Sequence, residues 1–198
     1  MRAPDQTRDD LLAEPVEVHE RNLRIGVRVV AGSTIMFFLA FLFAYFYLRS
    51  LDSHGLWRPD GVDPPQGYGA AIVALFVLSA GSVAYAAHAA RNGRRWLGFA
   101  GLSLPLALAG CIVQAFEYAH LGFGPRSGGY ASVFIGWTAL FVVFVLAVIY
   151  WLETLFAEGL RNRHGPGPKV PPGLDEAAFY WQLLAAIGAL AWAILYLI

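Results

Sequence analysis

Apolar positions along this chain are gathered into five long blocks, at residues 25–48, 70–90, 99–118, 130–156 and 179–198, with charges, proline or glycine at their borders. An α-helix of about twenty apolar residues crosses the roughly 30 Å of hydrocarbon in a bilayer. Within that layer every backbone N–H and C=O needs a partner from its own segment, which a helix supplies. The pattern predicts an all-α integral membrane bundle of five transmembrane helices over residues 25–198. The two longest connections, 49–69 and 157–178, the latter holding HGPGPKVPPG, are rich in proline and glycine and read as surface crossings. Residues 1–24 read as a polar arm, and the amphipathic LLAEPVEV within it is either disordered or docks on a partner subunit.

Composition agrees with lipid as the solvent. Apolar residues make up 58% of the 198 and charged residues only 14%, against about a quarter in soluble domains. A net charge of zero points to no nucleic-acid partner, and the single Cys111 has nothing in the chain to bond with. The acidic, polar opening is unlike a secretory signal. The fourteen basic residues divide eleven to three between the two sides that five crossings define. By the positive-inside rule the N-terminus is expected in the cytoplasm and the C-terminus outside. Phe179, Tyr180, Trp181 and Tyr196 sit where interfacial aromatics belong. Ala185, Ala189 and Ala193, and likewise Ala80 and Ala84, form narrow faces for close helix packing or simply follow from an alanine-rich composition.

Glu117-Tyr118-Ala119-His120 places a carboxylate and an imidazole within one helical turn, as di-iron bundles require. Those sites need a second copy and two further acids. Glu153 is the other acid counted near a span, and it has no histidine beside it. His88 and His120 fall at opposite membrane faces and cannot share a haem, so both are expected at interfaces. Glycine-rich phosphate loops, zinc spacings and nucleophile–base pairs are missing from the sequence. The expectation is therefore no catalytic residue, no metal ligand and no cofactor in this chain. Gln114 and Glu117 lie on one helical face and are costly in hydrocarbon. They face either a subunit or lipid headgroup, or each other inside the bundle.

The order of short motifs carries a resemblance. The stretch GSTIMFFLAFLFAYFYLR resembles the first retained helix of cytochrome c oxidase subunit III in its five-helix bacterial form. LWRPDGVDPP, LFVLSAGSVAYA, GCIVQAFEYAH, YASVF and AAFYWQLLAAIGALAWAILYLI then resemble successive family segments through to the end of the chain. Three departures stand out. Thr34 occupies the place of the family's intramembrane Glu, Phe141 and Phe144 those of two histidines, and Gln182 that of the His in its Tyr-Trp-His motif. Gln114, Glu117 and Tyr118 keep their matching places. The resemblance implies a non-catalytic subunit III of a respiratory haem-copper terminal oxidase, serving aerobic electron transport in the inner (plasma) membrane. Its implied partners are catalytic subunit I, subunit II, small subunits and phospholipids, with haem and copper in those partner subunits. The resemblance also implies support of proton uptake by the catalytic subunit, a role from which the lost Glu and His take away the family's titratable groups. Thr34, Gln114, Glu117, Tyr118, Tyr180 and Trp181 are the candidate lipid or subunit contacts. An accessory membrane subunit of a nitric oxide reductase is the alternative, and a small transporter is a third.

Overall fold

A computed structural model describes residues 16–52, 55, 57–164 and 170–198 of the chain. Its helices are α1 (Val16–Ser50), α2 (Gln66–Arg91), α3 (Leu97–His120), α4 (Gly129–Asn162) and α5 (Leu174–Trp192), which runs on into a turn of π-helix at Ala193–Leu197. Among the described residues five helices are long and apolar enough to cross a membrane. The all-α reading with five spans therefore holds. Residues 1–15, 53, 54, 56 and 165–169, with most of the expected arm and the stretch GPGPK, lie outside the described residues.

Helix ends differ from the apolar runs in one consistent way. The 35 residues of α1 begin at Val16, ahead of the predicted 25, and the 34 residues of α4 continue to Asn162, beyond the predicted 156. At 1.5 Å per residue each is about 50 Å long, well beyond the hydrocarbon. Hydropathy registers only the part that lies in lipid. Charged residues such as Glu20, Arg21, Glu158 and Arg161 are good helix formers, so the helix continues into water on the same side for both.

Packing follows a seven-residue repeat on three helices. Buried positions on α2 include Gly69, Ile72, Phe76, Ser79, Val83 and Ala86, and on α3 Ala100, Ser103, Ala107, Gly110, Gln114 and Glu117. Spacings of three and four keep one narrow face turned toward the neighbour. Small residues let the α2 and α3 backbones approach, since lipid offers no hydrophobic drive to hold helices together. A side chain at Gly110 would strike the Phe76 ring. Two serines bond across this seam, Ser79 Oγ donating to the Ser103 carbonyl and Ser82 Oγ to the Phe99 carbonyl, each at 2.7 Å. α4 carries the bulk of the core on the same repeat, with Tyr130, Phe134, Trp137, Phe141, Val145, Val148, Leu152 and Leu155 all buried.

α5 is the hub, packing on α1, α2 and α4, while α3 packs on α2 and α4. α1 leans on α4 and α5 and buries Val27, Ala31, Thr34, Phe38 and Tyr45, leaving most of its surface exposed. Because α1 and α2 meet chiefly through α5, a cleft remains between them.

Candidate functional site

The cleft opens where α1 and α4 overrun the bilayer. Arg24 and Arg28 of α1 form one wall; Ala84, Ala87, His88 and Arg91 of α2 form the other; Ala178, Phe179 and Gln182 of α5 line the floor, enclosing about 430 Å³. The two acids are Asp175 and Glu176, placed in the first turn of α5, where carboxylates suit the helix dipole. Glu176 is buried at 7% exposure, with Arg24 Nε donating to its Oε1 at 3.2 Å. Among the described residues its Oε2 has no hydrogen-bond partner, and the nearest guanidinium, Arg28, stands 3.9 Å away. The Arg28 guanidinium lies 3.5 Å above the Phe179 ring. On the far wall Arg91 Nε sits 3.0 Å from both Asp175 oxygens.

Three guanidiniums thus meet two carboxylates over an apolar floor, at the water end of a membrane helix bundle. Glu176 Oε2 is unpaired but shut away from solvent, so the accessible acceptor of the cleft is the half-exposed Asp175, and the N–H groups of the half-exposed Arg28 stand beside it as donors. A phosphate with an attached amine, on an apolar tail, complements that set. Glu176 was not among the residues singled out from the sequence, because the hydropathy run starts α5 at residue 179. Glu153, the acid that was counted, faces out of the bundle and is exposed.

At the opposite end of the bundle the polar residues close on one another. Glu117 is fully buried; Gln114 Nε2 donates to its Oε2 at 2.5 Å and the Tyr196 hydroxyl to its Oε1 at 2.6 Å. Of the two arrangements open for Gln114 and Glu117, the internal hydrogen bond is the one observed. Tyr196 likewise turns into the bundle, being only 6% exposed. The π-turn sets it there. Widening the last turn frees carbonyls, and the Tyr130 hydroxyl donates to that of Leu195 while Gln66 Nε2 donates to that of Tyr196 at 3.3 Å. A long-range partner for Glu117 was unreadable locally, since Tyr196 lies 79 residues away.

The remaining candidates are also bonded within the chain. Thr34 Oγ1 and the Tyr180 hydroxyl lie 2.8 Å apart, Trp181 Nε1 donates to Ser79 Oγ at 3.0 Å, and the half-buried Tyr118 donates to Thr138 Oγ1 at 2.8 Å. His120 does not join Glu117. It is exposed, bonded to the Phe116 carbonyl at 2.7 Å and stacked on Tyr68 at 5.9 Å. His88 sits at the other end of the bundle, in the cleft. Phe141 and Phe144 pack against Phe38 at 5.9 and 5.3 Å, so the α1–α4 contact is aromatic where the family pattern has imidazoles.

The chain is thus a bundle of five membrane-length helices with an arginine-lined cleft at one end. Comparison with known sequences gives the family: the profile of the family described as "Cytochrome c oxidase subunit III" matches residues 10–198. The chain belongs to the cytochrome c oxidase subunit III family. It is 30% identical over 189 residues to "Cytochrome c oxidase subunit 3" of Pylaiella littoralis, covering 90% of this chain and 66% of that protein. Its counterpart in Schizophyllum commune is 27% identical over 186 residues, covering 90% and 67%. That of Canis lupus familiaris is 27% identical over 190 residues, covering 89% and 68%. The chain therefore spans about two thirds of the length of these relatives.

Proposed function

We propose that this chain is the non-catalytic subunit III of a haem-copper terminal oxidase, packing beside the catalytic subunit and holding a phospholipid headgroup in the α1–α2–α5 cleft. The family match over residues 10–198 supports the subunit role. The observation that carries the lipid role is the buried, half-unpaired Glu176 beside Arg24 and Arg28 above the Phe179 ring. Haem and copper would reside in subunits I and II. The six polar positions, Thr34, Gln114, Glu117, Tyr118, Tyr180 and Trp181, would act chiefly as the internal frame that holds the contact surfaces in place. We extend the proposal to the inner (plasma) membrane of a bacterium, with the N-terminus cytoplasmic, on the basic-residue asymmetry; the relatives named above are eukaryotic.

Affinity purification of the tagged full chain from its native membrane tests the reading. Co-purification of a catalytic subunit with bound haem and copper, and of phospholipid that Glu176→Gln with Arg28→Gln releases, is the expected result. Recovery with a nitric oxide reductase instead would transfer the subunit role to that complex. Stoichiometric haem, copper or iron on the isolated chain would overturn the non-catalytic assignment.

A further inference from the structure

A second basic pocket lies on the same membrane side as the cleft and shares none of its lining residues. The turn between α2 and α3 supplies Arg94 and Arg95, and Arg163 follows the end of α4; with Trp96 and Gly98 they line a cavity of about 390 Å³. In the cleft, each carboxylate engages an arginine. Here, among the described residues, no carboxylate lines the cavity and none forms an ion pair with Arg94, Arg95 or Arg163.

The walls are shaped as much by what is missing as by what is present. Trp96 is buried, with its ring against Gly159, where any side chain would overlap it. Gly98 leaves open space, with nothing within 4 Å of the position a Cβ would take. α3 starts here with no side chain capping its first N–H groups, which adds partial positive charge to that of the three guanidiniums. Guanidinium forks match phosphate oxygens, and a basic pocket between helices at the membrane surface meets the phosphates of the bilayer first. Trp96 and Leu97 give the cavity an apolar wall suited to the start of an acyl chain. A headgroup carrying its own cation would find no carboxylate among the described lining residues to receive it, in contrast to the cleft.

We propose that the Arg94–Arg95–Arg163 pocket binds the phosphate headgroup of a net-anionic phospholipid, as a site separate from the cleft.

The test uses the intact complex in nanodiscs of phosphatidylcholine with a minority of phosphatidylglycerol, with the lipids that remain after detergent exchange counted by mass spectrometry. Arg95→Gln with Arg163→Gln should retain one fewer phosphatidylglycerol per copy. Gly98→Leu, which fills the pocket and leaves every charge in place, should lose the same lipid. Arg28→Gln in the cleft should not, so failure here is distinguishable from failure of the cleft assignment. An unchanged phosphatidylglycerol count in both pocket variants overturns the proposal. Equal loss of phosphatidylcholine overturns the anionic preference, and displacement of the lipid by inorganic phosphate at millimolar concentration overturns the lipid as ligand.

Discussion

The Tyr196 hydroxyl donates to Glu117 Oε1 at 2.6 Å, tying the last turn of α5 to the end of α3 across the interior of the bundle. With Gln114 on the other oxygen, the carboxyl group spends both of its acceptor sites inside the protein.

Tyr196→Phe removes one donor and leaves a buried carboxyl oxygen unpaired, which costs about 1–3 kcal/mol. Glu117→Gln should be milder, because the Gln114 amide can turn its oxygen toward the new N–H₂ while Tyr196 keeps an acceptor. Thermal melts of the complex should rank wild type first, then Glu117→Gln, then Tyr196→Phe. The reverse order of the two variants would show that the hydroxyl is not the stabilising partner.

Gly69 is where the π-turn presses on α2. A Cβ there would stand 2.6 Å from Tyr196 Cζ and 2.8 Å from Trp192 Cδ1. Gly69→Ala should force the Tyr196 ring aside and break its bond to Glu117, destabilising by about 1–3 kcal/mol. Combined with Tyr196→Phe, its cost should be less than the sum of the two, as expected of residues in contact. Strict additivity in the melts would separate the glycine from the carboxyl network.

How much of this was readable in advance depends on distance along the chain. The five spans and the family's ordered motifs are local patterns, each contained in some twenty residues; the structure agrees with the spans and the family match with the motifs. Helix ends were not readable, because charged helical residues beyond the bilayer resemble loop in a hydropathy count; that is why Glu176 escaped notice. Gln114 with Glu117 was visible as an adjacent pair one turn apart, but the choice between facing lipid and facing inward depended on Tyr196, whose placement follows from the π-turn and from a glycine on α2. Thr34 opposite Tyr180 is of the same kind: each residue was singled out alone, and 146 residues separate them.

Trp181 has two contributions that substitution can separate. Its ring fills the centre of the bundle beside Phe76 at 5.8 Å, and its Nε1 donates to Ser79, which in turn donates to the Ser103 carbonyl on α3. Trp181→Phe keeps most of the ring and should cost about 1 kcal/mol, the worth of one hydrogen bond, plus a small cavity. Trp181→Ala should cost about 3–5 kcal/mol through the void it leaves. Melting temperatures for the two variants that differ by less than a few degrees would mean that the bond, and not the packing, carries the residue's weight.

α1 has the least buried surface of the five helices, so a single polar pair matters more there than elsewhere. Thr34 Oγ1 donates to the Val30 carbonyl at 2.8 Å within its own helix, which leaves the Tyr180 hydroxyl as the donor between α1 and α5. Thr34→Val keeps the shape and deprives Tyr180 of its acceptor; Tyr180→Phe removes the donor and leaves Thr34 bonded to its own backbone. The first should therefore destabilise more than the second, by about 1 kcal/mol, because only the first strands a buried hydroxyl. In the double variant both polar partners are gone, and its cost should fall below that of Thr34→Val alone. Amide hydrogen exchange along α1 reads the effect directly: exchange near residues 27–38 should quicken in Thr34→Val and recover in part when Tyr180→Phe is added. Equal protection in the single and double variants would mean that the aromatic contacts of Phe38 with Phe141 and Phe144 hold α1 without help from the pair.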